Sequence, residues 1–432
     1  MAGTASLILL SVFAGLTALG LPLALALTAA ALAAVSMVAP LDMALFTSVQ
    51  KMFAALDSFS LLAVPFFILS GVMMNSGGIA LRLVNFAKLL AGRIPGSLAQ
   101  TNIAGNMLFG CISGSAIAAS TSIGGVMVPM QKQEGYDPGF AAAVNIASAP
   151  TGMLIPPTTA FIIYSLVSGG TSVAALFLGG AVAGMLWGLM IMGIASLYAW
   201  RRGYPTTPWA GGRAAAKITA EAIPSLLMIV IVIGGIIFGI FTAVEASGIA
   251  VIYTMLLTFV IHRTRPVSAF PEFLLETAQI TGTIMLLLAA SATLSFAMAL
   301  TGIPAAISAL ILGVSENPIV ILLIINLVLL VIGCFMDMGP AILIFTPILL
   351  PIAQKVGVDP VQFGIIMVFN LAIGTITPPV GTGLFVGASV AKVKVEQAIR
   401  GLAPFYAALF VLLFLVTYVP SLTMSLPRAF GF

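Results

Sequence analysis

The chain has 432 residues, 61% of them hydrophobic and only 6% charged, where soluble globular chains carry roughly a quarter of charged residues. So apolar a chain cannot cover itself with a water-facing surface, which excludes an ordinary soluble domain and makes the bilayer its solvent. The formal net charge of +4 reflects loop residues and implies no nucleic-acid partner.

Residues 1–95 read as N-terminal scaffold and arm helices. The stretch from Ala5 to Pro40 is apolar and has no basic start. It is more than twice the length of a signal-peptide core (~7–15 residues), so it reads as retained membrane structure. Residues 96–200 form the core of a first repeat. An apolar run there is interrupted by GCISGSAIAASTSIGG at 110–125, and a second breaks at Pro156–Pro157. Residues 201–222 are a polar cytoplasmic loop. Residues 223–317 supply mid-chain scaffold spans and an arm; Ile223 to Ile261 contain one charge, Glu245. Residues 318–400 form a second core, interrupted by GCFMDMGPAILIFTP at 333–347 and broken at Pro378–Pro379. Residues 401–432 hold a C-terminal span, with no charge from Leu402 to Pro427. A spanning helix needs about 20 apolar residues, and the arms beside each interruption are only about 12–16 long. Each pair of arms is therefore expected to form a re-entrant helical hairpin, with backbone breaks tolerated only against protein or a water-filled cavity.

An internal repeat organises the chain. Pro129, Gly135, Asp137, Pro138, Gly152, Pro156 and Pro157 recur 222 positions later as Pro351, Gly357, Asp359, Pro360, Gly374, Pro378 and Pro379. Gly110-Cys111 and Gly333-Cys334 match at 223. Repeats on this scale are a usual construction of secondary transporters. Basic clusters at Arg82, Lys88 and Arg93, at Arg201, Arg202, Arg213 and Lys217, at Arg263 and Arg265, and at Lys392, Lys394 and Arg400 are cytoplasmic by the positive-inside rule. Counting crossings then places residues near 168–172 outside and their partners near 390–394 inside, so the repeats are inverted. The expected fold is an all-α membrane protein with two re-entrant hairpins and two broken spanning helices.

A broken helix presents unpaired amides on one side and unpaired carbonyls on the other. The amide end suits a carboxylate, and the carbonyl end suits a hard cation such as Na⁺. Two pseudo-symmetric cation sites are expected beside a substrate site. The first is assigned to Ser113, Gly114, Ser115 and Gly152, and the second to Asp337, Gly374, Thr375 and Thr377. Asp337 is the most suspicious residue, because an ionisable group at membrane depth is costly. The substrate cavity is assigned to Ser113, Ser115, Thr158, Thr159, Asp337, Gly381 and Thr382, although each threonine could equally bond the backbone of a kinked helix.

The other polar residues read more plainly. Asp137 and Asp359 precede prolines and are expected to cap the next helix. Glu245 is ambiguous at a bend between spans. Asp42, Asp57, Glu134, Glu221, Glu272, Glu276, Glu316 and Glu396 read as loop or span-end charges. Cys111 and Cys334 read as small buried residues, and His262, the lone histidine, as a loop residue. No nucleophile–base pair or metal-ligand cluster stands out, so an intramembrane enzyme is disfavoured, and no cofactor is expected beyond Na⁺. With no GxxxxGK loop, ATP hydrolysis by this chain is not expected. An ion channel or proton antiporter would place several carboxylates or a basic residue at mid-depth, where only Asp337 is clearly so placed.

FMDMGPAILIFTPILLPIA, followed by DPVQFGIIMVFNLAIGTITPPVG, resembles the large membrane subunit of tripartite ATP-independent periplasmic (TRAP) transporters. CISGSAIAAS, the IPP at 155–157 and GIFTAVEAS resemble further signatures of that family, and the likeness runs from about residue 50 to 420. The resemblance implies an elevator-type fold and Na⁺-coupled uptake of an organic acid across a bacterial inner membrane. It implies two partners, a small four-span membrane subunit and a periplasmic substrate-binding protein. It links Ser113, Ser115, Thr158 and Asp337 to ion and substrate handling. Ala118, Ala119 and Ser120 stand where family members often carry an Asp, Thr158 where Ser is common, and Met338-Gly339 where Thr-Thr is common. The identity of the acid stays open among four-carbon dicarboxylates, sialic acid and other sugar acids, and keto acids. A stand-alone cation-coupled anion carrier or antiporter of the same superfamily is the alternative.

Overall fold

The structure is a computed structural model that describes residues 2–76, 79–208, 211–303, 305, 306, 309, 313, 315 and 317–432. Glu316 and much of the arm expected at the end of 223–317 lie outside the described residues. Described residues form helices, with no strand among them. Among the described residues, seven helices are long and apolar enough to cross a membrane, or up to nine if each bent pair counts as one span.

The N-terminal region comprises α1 (Ala2–Ala18), α2 (Leu23–Val35), α3 (Leu41–Leu56), α4 (Ala63–Ser76) and α5 (Ile79–Ala91). The first repeat comprises α6 (Ser97–Ser113), α7 (Ala116–Gln133), α8 (Pro138–Ser148), α9 (Thr151–Leu154), α10 (Thr159–Val167) and α11 (Val173–Arg202). After α12 (Gly212–Ile237), α13 (Ala243–Met255) and α14 (Phe270–Thr301), the second repeat comprises α15 (Pro318–Phe335), α16 (Met338–Lys355), α17 (Pro360–Thr375), α18 (Thr382–Ala391) and α19 (Val395–Tyr418). A short α20 (Pro420–Ala429) ends the chain.

Local chemistry sets the boundaries that position the site. Asp137 accepts from the Phe140 amide at 2.8 Å, and Asp359 from the Val361 amide at 2.7 Å. Each aspartate is thus the cap expected of it, with proline at the first helical position, where its missing N–H costs nothing. Glu245 resolves into a capping box with Thr242 at the start of α13, so its role is to satisfy orphan amides at a helix end. Both proline-rich breaks contain a cis Pro–Pro peptide, at 156–157 and 378–379.

Two glycine seams join each helical pair to its broken helix. A Cβ on Gly152 would lie 2.5 Å from the Gly110 Cα, and a Cβ on Gly374 would lie 2.5 Å from the Gly333 Cα. These are repeat partners, so the same backbone-to-backbone approach is built twice. Lipid gives helices little hydrophobic reason to associate, and close backbone packing supplies the attraction instead.

The repeats also interlock reciprocally. The last helix of the first broken segment, α10, packs on α16, while its counterpart α18 packs on α7. Likewise α11 packs on α17, and α19 packs on α8. Matching exchanges of this kind are the contact signature of a two-fold arrangement. Around this core, α14 packs on α2, α3 and α4, and α13 packs on α4. Among the described residues, two side-chain hydrogen bonds cross between the groups: Ser291 on α14 donates to the Leu343 carbonyl on α16 at 2.5 Å, and Ser122 on α7 donates to the Asn75 side-chain oxygen on α4 at 2.6 Å.

Candidate functional site

At the first tip, α6 ends at Ser113. Gly114 then turns left-handed (φ 62°) and donates its amide to the Gly110 carbonyl at 2.7 Å, a conformation that favours glycine. Ser115 caps α7, accepting from the Ala118 amide at 3.3 Å, and the Ser113 hydroxyl reaches the Ser115 carbonyl at 3.5 Å. The position of a Cβ on Gly114 is 3.5 Å from the Pro157 carbonyl oxygen, so the tip rests on the first break. There the buried Thr158 caps α10 by accepting from the Phe161 amide at 3.4 Å.

Asp337 stands 222 positions after Ser115 and likewise precedes a second arm, α16, with extended backbone (φ −68°, ψ 156°). Unlike Ser115, it makes no side-chain cap hydrogen bond. Near it, the Gly381 amide of the second break donates to the Cys334 carbonyl at 3.0 Å. A Cβ on Gly381 would be 2.6 Å from the Thr377 carbonyl oxygen and 3.1 Å from that of Thr375. Two carbonyls therefore crowd around this break. The hydroxyls of Thr375 and Thr377 donate back to the carbonyls of Ala372 and Ile373, at 2.8 and 2.7 Å.

A cavity of about 930 Å³ opens between these tips and the surrounding helices. Ser113, Gly114, Ser115, Thr159 and Asp337 line it together. Thr158, Gly152, Gly374, Thr375, Thr377, Gly381 and Thr382 do not appear in its wall; Gly152 and Gly374 lie in the two glycine seams. The first break thus meets the cavity, while the second is held against the end of α15 and opens elsewhere, with Val380 41% exposed.

Charge in this cavity is distributed unusually. Ser115 and Ile117 at the start of α7, Thr159 at the start of α10 and Met338 at the start of α16 line it, so three helix N-termini, each carrying partial positive charge, share one space. Its charged lining side chains among the described residues are Asp337 and Glu276, with no Lys, Arg or His. Glu276 lies in the second turn of α14. With Ile280, Thr283, Ile284 and Leu287 it forms one helical face toward the cavity. The motif spacing contains no sign of this, because Glu276 follows a prolyl start shared with Glu272 that resembles a loop.

Buried amides also escaped the sequence reading. Asn106 donates to the Asn145 side-chain oxygen at 3.1 Å and to the Ser148 hydroxyl at 2.8 Å, and Asn145 donates to the Ser120 hydroxyl at 3.0 Å. In the second repeat Asn370 donates to Asn326 at 2.8 Å, and Asn326 to Thr417 at 3.0 Å. Each network ties the first arm of a helical pair to its broken helix. Neutral amides in an apolar run carry no charge signal, so only their pairing reveals them. Cys111 and Cys334 are buried thiols, and no group of three or more His, Cys, Asp or Glu forms a metal cluster among the described residues.

A family model described as "Tripartite ATP-independent periplasmic transporter, DctM component" matches residues 10–422. The chain is 50% identical over 425 residues to the uncharacterized protein YgiK of Salmonella typhimurium, covering 98% of each. It is 39% identical over 381 residues to the sialic acid TRAP transporter large permease protein SiaM of Vibrio cholerae, covering 88% of this chain and 89% of that one. Among solved structures, the YdaH transporter of Alcanivorax borkumensis matches with a TM-score of 0.62 over 89% of this chain and 88% of that one, at 16% identity, a likeness of fold. The architecture built from repeats and broken helices, and the match over nearly the whole length, agree: the chain belongs to the DctM family, as the large membrane subunit of a TRAP transporter, a multi-pass transport protein of the bacterial inner membrane and not an enzyme.

Proposed function

We propose that this subunit imports a small organic acid in symport with Na⁺, taking it from a periplasmic substrate-binding protein and working beside a small four-span membrane subunit. One observation carries the reading. Three helix N-termini meet in a cavity whose charged side chains, among the described residues, are two carboxylates and no base. The N-termini favour an anion, while Asp337 and Glu276 repel it unless a cation enters too. Loading both together removes the conflict, which is what obligatory coupling requires.

Within this reading the first Na⁺ is held at the tip by Ser113, Gly114 and Ser115 with the facing carbonyl of the break, Gly152 setting their approach. The second is held by Asp337 with carbonyls near Gly374, Thr375 and Thr377. Ser113, Ser115, Thr159 and Asp337 meet the substrate, with Thr158 holding the start of α10 behind them. Gly381 and Thr382 act from the second break. The likeness to SiaM favours sialic acid and other sugar acids as first probes, with dicarboxylates and keto acids behind. The cores at 96–200 and 318–400, with re-entrant tips and inverted orientation, move as one body against the scaffold at 1–95 and 223–317. Each Na⁺ charge in excess of the anion's adds about 2.3 kcal/mol of drive per 100 mV.

The test is uptake of labelled sialic acid, dicarboxylates and keto acids into proteoliposomes holding the full complex. Uptake is expected only with an inward Na⁺ gradient and an added binding protein. Equal rates with K⁺ or a proton gradient alone would refute the coupling. Full uptake of free substrate without the binding protein would favour a stand-alone carrier.

A further inference from the structure

A second, smaller recess lies away from the transport cavity. Its volume is about 100 Å³, and its walls come from α5, the turn after α5, the segment following α11, and α12. Lys88, Arg93 and Asn85 supply its cationic and amide groups, and Leu89 and Ile218 its apolar sides. No carboxylate is among its described lining residues. We propose that this recess binds the phosphate headgroup of an anionic glycerophospholipid of the inner membrane.

The recess is held open by backbone. The Thr207 amide donates to the Gly92 carbonyl at 2.8 Å, and the Ser97 amide donates to the Pro205 carbonyl at 3.2 Å. The Thr207 hydroxyl donates to the Ser97 hydroxyl at 2.9 Å. Residues 205–207 therefore strap the joint between α5 and α6, and the cations stand around a preformed floor.

Its depth fits a headgroup. On α12, Arg213 and Lys217 precede Ile218, and from there to Ile237 the only charge is Glu221. Ile218 thus marks the change from basic to apolar sequence on the side the positive-inside rule makes cytoplasmic. Basic recesses at that level between membrane helices suit anionic lipid headgroups. The source is a lipid and not free phosphate because the apolar surface continues from the recess. Leu81, 55% exposed, lies one turn before Asn85 and two before Lys88 on the same face of α5, a track for an acyl chain. Such a site depends on the chain's place in the membrane and not on which anion it carries.

Native mass spectrometry of the full-length, delipidated chain, titrated with phosphatidylglycerol, phosphatidylcholine or inorganic phosphate, tests the assignment. One tightly held phosphatidylglycerol is expected, with much weaker phosphatidylcholine. Lys88→Ala with Arg93→Ala should weaken phosphatidylglycerol about thirtyfold, as the loss of two basic groups near an anionic surface implies. The charge-keeping pair Lys88→Arg with Arg93→Lys should retain it, as should a distant pair, Lys392→Ala with Arg400→Ala. If the double alanine variant does not fold, Lys88→Gln alone, with a severalfold loss, serves in its place. Equal loss from the distant pair, or no loss from the Lys88 variants, overturns the site. Displacement of phosphatidylglycerol by inorganic phosphate at equal concentration overturns the lipid assignment.

Discussion

Ser115 and Asp337 occupy equivalent places in the two repeats, yet only the serine spends its side chain on capping. Under the proposed function, this asymmetry separates stability from transport. Ser115→Ala should lower stability by about 1 kcal/mol, the usual worth of an N-cap, read as the midpoint of thermal unfolding in detergent. Asp337→Ala removes no cap bond, so its midpoint should stay near wild type while Na⁺-driven uptake falls at least tenfold. A large loss of stability with normal uptake per folded molecule would reverse the roles. Asp337 was legible because a lone acid in an apolar run is expensive. The place of Glu276 in the cavity wall was not, since it depends on which face α14 turns to the cavity.

At the scale of elements, the glycine seams are the joints that place each tip on its break. A methyl at Gly152 must displace the Gly110 backbone, 2.5 Å from the new Cβ, and overpacking of this kind costs about 1–3 kcal/mol. Gly152→Ala should therefore lower the unfolding midpoint and reduce Na⁺ affinity by shifting the first tip. Gly125→Ala, in α7 with nothing within 4 Å of its Cβ, is the control and should match or exceed wild-type stability. Similar behaviour of the two variants would remove the seam from the site. The seam residues were visible in the sequence because Gly110, Gly152, Gly333 and Gly374 recur at the repeat spacing. Their function as contact points was not, because spacing along a chain does not say which glycines face each other.

For the whole molecule, the exchanged packing of α10 on α16 and α18 on α7 binds the repeats into one core. Transport by movement of that core requires its contacts with the scaffold to slide. The Ser291–Leu343 contact crosses this boundary. In a background with Cys111 and Cys334 replaced by alanine, Ser291→Cys with Leu343→Cys should be joined by a short bifunctional methanethiosulfonate through two reducible disulfides. Uptake should then stop and return on reduction. Undiminished uptake by the cross-linked protein would show that α14 and α16 move together.

The sequence by itself determined the solvent of this protein, its two-fold construction and the positions of its breaks and caps. Each is written locally: hydrophobicity in long runs, glycine and proline at conformationally demanding positions, Asp137 and Asp359 directly before a proline at a helix start. Tertiary structure alone decided that the first break meets the cavity and the second does not, that Glu276 joins Asp337 there, and that buried asparagines tie each broken helix to its neighbour. Those outcomes depend on contacts between segments far apart in the chain, where the free energy lies in packing and hydrogen bonding across helices and no residue spacing records the distance.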